Sequence, residues 1–140
     1  MNNSSLPSVI FKDWQCTVRP VLYPDANPGL VLEELDGSPV ATATINLPEW
    51  NKDLLGYFGD KNNLEFVTGA KLFCFIKNYS ENEGMLKVLI DANIVHDLGL
   101  HVNSGYIEDI PVCEIIDPLL NEAYNELYAD VASEIPGVGA

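Results

Sequence analysis

Four carboxylates recur at every fourth residue near the end of this 140-residue chain. The segment "NEAYNELYADVASEI" (residues 121–135) contains no Lys or Arg, and its acids are Glu122, Glu126, Asp130 and Glu134. Residues at this spacing lie along one side of an α-helix, about 6 Å apart. Such a row can bind a basic groove as a mimic of DNA, whose phosphates repeat about every 3.4 Å along each strand. Its simpler interpretation is a solvated face that serves solubility.

A second acidic site is the adjacent pair Glu108 and Asp109. Adjacent side chains of a strand point to opposite faces, so this pair does not converge on one substrate as a general acid and base must. The pair Glu33 and Glu34 is subject to the same objection. Glu108 and Asp109 therefore join the helical row as candidates for binding a basic partner. The predicted partner-binding residues are Glu108, Asp109, Glu122, Glu126, Asp130 and Glu134.

The residue types needed for nucleophilic catalysis or metal binding are present but sparse. The two histidines, His96 and His101, lie near Asp97, and Cys113 could supply a nucleophile for a small hydrolase. The same histidines with Asp97 could bind a metal, but their five-residue spacing around Gly99 lacks the i, i+4 geometry of zinc-binding helices. We expect both histidines on a surface connection. The sequence thus predicts no catalytic residue, no metal site and no cofactor.

The cysteines predict buried thiols rather than a metal or redox motif. Cys16, Cys74 and Cys113 are far apart, and no C-x-x-C pair occurs. Cys74 in "LFCFI" and Cys113 in "IPVCEI" stand among apolar residues, where a thiol packs as a small hydrophobe. We therefore expect Cys74 to be buried in a central strand and unreactive.

The formal charge of −14 is distributed unevenly along the chain. Residues 1–87 carry all seven Lys and Arg together with eleven acids, whereas residues 88–140 carry ten acids and no base. A surface of this sign repels nucleic acids and acidic membranes and attracts basic proteins. The start of the chain has neither a basic nor an apolar segment typical of a secretion signal, and no apolar run approaches the ~18 residues of a membrane span. We therefore predict a cytoplasmic protein that binds neither nucleic acid nor membrane directly.

The N-terminal half is rich in strand-forming residues. The segment "FKDWQCTVRPVLY" predicts one strand, and "LVLEELDGSPVATATINL" predicts a hairpin through Asp36-Gly37. Residues 48–70 give no clear prediction. The segment "KLFCFIKNY" then predicts a central apolar strand.

The C-terminal half contains two predicted helices separated by strands. Ser80 and Glu83 match a capping box, and apolar spacing continues the first helix for three to four turns to a left-handed stop at Asn93. The segment "GLHVNSGYIEDIPVCEII" predicts one or two strands with a turn at residues 103–105. Asp117-Pro118 predicts the start of the last helix. Its expected buried residues are Leu120, Tyr124, Leu127, Val131 and Ile135.

Three segments between Thr42 and Ile115 carry a resemblance: "TATINLPE", "FIKNYSENEGMLKVLIDANIV" and "SGYIEDIPVCEI". Through them the chain resembles a family of uncharacterised small bacterial proteins, a domain of unknown function common on plasmids and other mobile elements. The resemblance implies a bacterial or mobile-element origin and an accessory role, and it assigns no catalytic residue. The first 41 residues and the acidic last helix fall outside it.

Together these features predict an α+β domain over residues 10–135, with flexible tails at residues 1–9 and 136–140. The expected fold is a mostly antiparallel sheet of about four to six strands with two main helices packed on it. The predicted function is that of a non-enzymatic acidic binding protein of a bacterial mobile element or phage. Its sharper form is a DNA-mimic inhibitor of a host defence system, in restriction or CRISPR. A protein–protein interaction module, using the apolar sheet or Tyr124 and Tyr128, and a small hydrolase are the alternatives.

Overall fold

The computed structural model describes residues 6–24, 27–47 and 72–134, and side chains within these ranges up to residue 130. The described chain is an α+β fold with about 23% helix and 48% strand, as predicted. Its strands are β1 (Ser8–Phe11), β2 (Trp14–Leu22), β3 (Pro28–Glu33), β4 (Pro39–Thr42), β5 (Thr44–Ile45), β6 (Phe73–Ile76), β7 (Val95–Ser104) and β8 (Ile107–Ile115). Its α-helices are α1 (Met85–Asp91) and α2 (Pro118–Glu134), and a 3-10 turn spans Ser80–Asn82.

The strands form two antiparallel sheets rather than the single sheet expected from the sequence. The first sheet has the order β1-β2-β3-β4, and the second has the order β5-β6-β8-β7. The chain passes from one sheet to the other at Ala43, whose N–H donates to the Leu30 carbonyl and whose carbonyl accepts from the Lys77 N–H, both at 2.9 Å. The predicted second strand of the hairpin is therefore bent at Ala43 and shared between the sheets.

The segment at residues 11–23, predicted as one strand, contains the last residue of β1, a turn and the whole of β2. Strands β1 and β2 pair through a two-residue turn at Lys12 and Asp13, whose φ angles are 49° and 70°. Two left-handed residues are what a type I′ turn requires, and Asn-Gly is its usual sequence. The dipeptide Lys12-Asp13 does not have this signal, so the sequence predicts one continuous strand here. The first described strand begins at Ser8, two residues before the predicted domain boundary at residue 10.

Two other predicted turns are present. Strands β3 and β4 meet through Asp36-Gly37, where Gly37 has a φ of 91° and the Ser38 N–H donates to Asp36 Oδ1 at 2.9 Å. That hydrogen bond lowers the pKa of the Asp36 carboxyl. Strands β7 and β8 pair antiparallel, and their turn lies at Gly105 and Tyr106, slightly later than the predicted turn at residues 103–105.

Helix α1 is shorter than predicted, and Ser80 does not cap it. Ser80 begins the 3-10 turn with a φ of 55°, and the α-helix starts only after Gly84, whose φ is 96°. The cap comes instead from Asn78, whose Oδ1 accepts from the Leu86 N–H at 2.8 Å. The predicted stop is confirmed: Asn93 has a φ of 59°, its N–H donates to the Ile90 carbonyl, and the Ile94 N–H donates to the Leu89 carbonyl. These two bonds form a Schellman motif.

The main core lies between the two sheets and beneath both helices. It includes Val18 and Leu32 of the first sheet, Ile76 of the second, Leu89 of α1 and Tyr124 of α2. Helix α1 contacts β1, and α2 packs against β2. A second apolar cluster occupies the opposite face of the second sheet, and its buried members are Leu47, Phe73, Phe75, Ile110 and Val112. Within the described residues, the main core is therefore shared by both sheets, whereas the second cluster lies against the second sheet alone.

The start of α2 is as predicted. Asp117 Oδ1 accepts from the Leu120 N–H at 2.9 Å, and Pro118 is the first helical residue. Leu120 and Tyr124 are fully buried, and Leu127 packs against the same core. The Tyr124 hydroxyl donates to the Gly29 carbonyl, which fixes the middle of α2 against β3. The predicted buried residues Val131 and Ile135 lie outside the described side chains.

The revised cap of α1 gives a testable difference between two neighbouring residues. Asn78→Ala removes the side chain that accepts from the Leu86 N–H, so we expect it to lower the free energy of unfolding by about 1 kcal/mol. Ser80→Ala removes no capping bond, so its effect should be much smaller. Urea denaturation of both variants measures the difference. If Ser80→Ala costs as much as Asn78→Ala, the assignment of the cap is wrong.

Candidate functional site

The acidic row lies on the exposed side of α2, as its spacing predicts. Glu122, Glu126 and Asp130 are exposed, whereas Ala123 and Tyr124 between them are buried. The Asn121 side chain donates to the Ile115 and Asp117 carbonyls at 3.0 and 2.9 Å, which fixes the first turn of the helix. Glu134 ends the helix, and its side chain lies outside the described residues. The row is therefore held on a helix whose other side is anchored in the core.

The row opposes the stability of its own helix. Like charges at i and i+4 cost roughly 0.2–0.5 kcal/mol per pair, and the pairs 122/126 and 126/130 both have this spacing. The last turn of α2 contains no basic residue that would favour the negative end of the helix. The sum is small against a typical stability of about 5–15 kcal/mol. The protein can therefore tolerate this repulsion, and α2 contains no Lys or Arg of its own that would offset it.

The four basic side chains within the described residues all contact groups outside α2. Arg19 pairs with Glu33 at 2.9 Å, Lys77 with Glu81 at 2.6 Å, and Lys87 with Asp91 at 2.6 Å. Lys12 Nζ donates to the Glu81 carbonyl at 2.5 Å. The hydrogen bond between Lys77 and Glu81 raises the pKa of the lysine and lowers that of the carboxyl. These contacts compensate acids of the same part of the chain.

Several acids of the C-terminal half have structural roles. Asp91 pairs with Lys87, and Asp117 caps α2. Asp97 Oδ1 accepts from the Gly99 N–H at 2.9 Å, within a bulge of β7. Once these residues are set aside, the exposed carboxylates that remain include Glu122 and Glu126 on α2 and the pair on β8.

Glu108 and Asp109 are exposed near the turn between β7 and β8. Asp109 has a φ of 56°, and its N–H donates to Asn103 Oδ1 at 2.9 Å across an irregularity in the pairing of the two strands. This pair belongs to the second sheet, whereas α2 packs chiefly against β2 of the first sheet. The predicted partner-binding residues therefore lie on two separate elements.

Both histidines are exposed, as predicted, but they lie in strand β7 rather than in a connection. His96 is directly opposite Glu114, and His101 is directly opposite Pro111. Opposed residues share a face of the sheet. Glu114 and Pro111 are three residues apart on β8 and so face opposite sides, which places the two histidines on different faces. No group of three His, Cys, Asp or Glu side chains in the described part of the chain is arranged to hold a metal.

The thiols are buried, as predicted for Cys74. Cys74 and Cys113 lie directly opposite each other on β6 and β8, and Cys16 is buried in the first sheet. Burial raises the pKa of Cys74 well above its usual value and raises the pKa of Cys113 to about 12, with Asp97 adding to the latter shift. Cys113 is therefore poorly suited to act as the nucleophile of a Cys–His pair.

Two exposed apolar residues beside the acidic row were not identified from the sequence. Ile116 is 41% exposed and Leu119 is 39% exposed. Helical periodicity could have found Leu119, because it lies off the buried stripe of Leu120 and Tyr124. Tyr124 is fully buried and cannot form a surface contact, so the expected contact pair of Tyr124 and Tyr128 is wrong.

The chain gave no match to protein-family models, to curated proteins or to solved structures. The resemblance to small proteins of mobile elements therefore stays a prediction. Within the described residues, neither helix combines the length and the apolar character that crossing a bilayer requires.

Burial of the thiols predicts slow modification in the folded protein. A thiol reagent should label Cys16, Cys74 and Cys113 far more slowly before unfolding in urea than after it, because the reactive thiolate is disfavoured and inaccessible. Ser8→Cys, at an exposed position of β1, provides the control for a reactive thiol. Labelling of Cys74 in the folded protein as fast as that of the control would contradict its place in the core.

Proposed function

We propose that this protein is a non-enzymatic acidic binding protein of a bacterial mobile element or phage. In this proposal its α2 row occupies the basic nucleic-acid channel of a host defence enzyme, in restriction or CRISPR, as a mimic of DNA. The observation that supports the proposal best is the exposure of Glu122 and Glu126 on a helix anchored in the core, in a part of the chain without Lys or Arg.

Electrostatics favours a basic protein as the partner. The excess of acids in residues 88–140 produces a negative potential that speeds the approach of a positively charged surface. It also opposes direct binding of DNA or RNA, whose backbones have the same sign. A rigid helix presents its carboxylates with little loss of backbone entropy on binding, as a DNA strand presents its phosphates.

A protein–protein interaction module is the second candidate. The exposed apolar residues Ile116 and Leu119 favour it, because they lie at the start of the same helix and a DNA mimic has no need of them. A hydrolase that uses Cys113 has less support, since this thiol is buried and its pKa is raised to about 12.

If the row has been retained for binding, one substitution should move stability and binding in opposite directions. Glu126→Lys replaces two repulsive i, i+4 pairs, with Glu122 and Asp130, by attractive ones. We expect the free energy of unfolding to rise by about 1–2 kcal/mol, because each of the two pairs loses a repulsion and gains an attraction of roughly 0.2–0.5 kcal/mol. Binding to a basic partner should weaken, mainly through slower association and a shallower dependence on salt. Glu83→Lys makes the same charge change at an exposed residue away from α2 and should leave binding nearly unchanged.

The binding half of this prediction can be measured by capture from a bacterial lysate. Immobilised wild-type protein should retain nucleic-acid-binding enzymes at low salt, and duplex DNA should release them by competition. The Glu126→Lys variant should retain much less, and the Glu83→Lys variant should retain as much as the wild type. Retention that DNA does not reverse, or that is equal for all three proteins, would mean that the row is only a solvated face.

A further inference from the structure

Strand β7 is the longest outer strand of the two sheets within the described residues. The outer strands are β1 and β4 of the first sheet and β5 and β7 of the second. Strands β1 and β4 have four residues each and β5 has two, whereas β7 has ten. An outer strand presents backbone N–H and C=O groups with which another chain can pair, and a short strand limits that pairing. Of these four edges, β7 is therefore the one along which a second copy of the protein could best add a strand.

The pairing of β7 with β8 is interrupted by a two-residue bulge. Asp97 and Leu100 lie opposite adjacent residues of β8, so the two residues between them have no position in the ladder. The second of these, Gly99, has a φ of 76°, which residues with a side chain rarely adopt. Its N–H donates to Asp97 Oδ1 at 2.9 Å. Both features hold the backbone of β7 out of the extended conformation that strand pairing requires.

A second irregularity follows between Val102 and Ser104, where β8 contains an extra residue. Asp109 of β8 has a φ of 56°, and its N–H donates to Asn103 Oδ1 at 2.9 Å. At both irregularities a side chain of β7 thus accepts a backbone N–H where the pairing shifts. Regular pairing of β7 is thereby limited to short runs at residues 95–97 and 100–102, which are no longer than the other outer strands.

We propose that the bulge at residues 98–99 prevents a second copy of this protein from pairing along β7. A bulge bends its strand and increases the local twist, so a straight partner strand cannot follow the whole edge. Strand β7 keeps its place in the sheet through β8, while its outer side offers only interrupted runs. The device involves neither α2 nor its acidic row and is independent of the proposed function.

Charge does not provide this protection at contact distance. The net charge of −14 repels other copies of the protein, but physiological salt screens exposed charges beyond about 8 Å. Paired strands lie about 4.7–4.9 Å apart, and edge lysines are a common means of opposing such contact. The sequence of β7 contains no Lys or Arg and one carboxylate, that of Asp97. The bulge is therefore the feature of β7 that opposes pairing with another copy.

Deletion of Leu98 and Gly99 tests the proposal in the full chain. The deletion makes Asp97 and Leu100 consecutive opposite consecutive residues of β8, and removal of two residues leaves the other side chains on their faces. We expect the variant to self-associate at least roughly tenfold more tightly than the wild type. Analytical ultracentrifugation over a range of concentrations measures this change. Amide hydrogen exchange of the remaining β7 residues should slow as the variant associates.

Gly99→Val tests the same bulge without shortening the chain. A β-branched residue disfavours a positive φ, so this variant should also associate more tightly than the wild type, though less than the deletion variant. Gly37→Val is the matched control, because Gly37 has a φ of 91° and lies in the turn between β3 and β4. At both glycines an added Cβ would meet no atom of the described residues within 4 Å. Gly37→Val should lower stability while leaving association at the wild-type level.

Circular dichroism and thermal melting establish whether each variant is folded. The proposal is overturned if the folded deletion variant associates no more tightly than the wild type, or without slower exchange in β7. It is also overturned if Gly37→Val associates as tightly as Gly99→Val, or if the wild type already pairs along β7. Should the deletion prevent folding, the comparison of Gly99→Val with Gly37→Val decides the question.

Discussion

The backbone of Ala43 hydrogen-bonds to both sheets, and the relative position of the sheets depends on this residue. Its N–H donates to Leu30 of β3, and its carbonyl accepts from Lys77 beyond β6. The adjacent groups are satisfied as well: the Asn82 side chain donates to the Thr42 carbonyl at 2.6 Å, and Thr44 Oγ1 accepts from the Leu30 N–H at 3.1 Å. The 3-10 turn at Ser80–Asn82 is thereby joined to the bend between the sheets, which places α1 over the shared core.

Local sequence signals predicted the features that a few neighbouring residues decide. Asp36-Gly37, Asn93 and Asp117-Pro118 act through their own backbone preferences and side-chain hydrogen bonds, so their turns and helix ends could be found without knowledge of the fold. The cap of α1 was missed because its acceptor, Asn78, lies eight residues before Leu86 and reaches it only after the 3-10 turn has formed. The division into two sheets depends on contacts between distant segments, which no local pattern reports.

The acidic row could be predicted for the same reason as the helix ends, since its exposure follows from helical periodicity and one buried stripe. The position of Glu108 and Asp109 relative to that row could not be predicted, because it depends on which sheet α2 packs against. Their exposure depends further on the bulge around Asn103, whose side chain accepts the Asp109 N–H. The burial of Tyr124 was predicted from periodicity, but its hydroxyl contact with Gly29 spans 95 residues and has no local signal.

Helix α1 has only seven residues, and a helix of this length is unstable by itself in water. It persists because it packs on β1 and leads, through the Asn93 stop, directly into β7. Strands β1 and β7 are the outermost strands of their sheets within the described chain. Transient melting of α1 would therefore loosen two sheet edges in one opening event, and unpaired edges are sites where chains associate abnormally. Amide hydrogens of β1 and β7 would then exchange together with those of α1. The packing of this small helix would thereby limit aggregation.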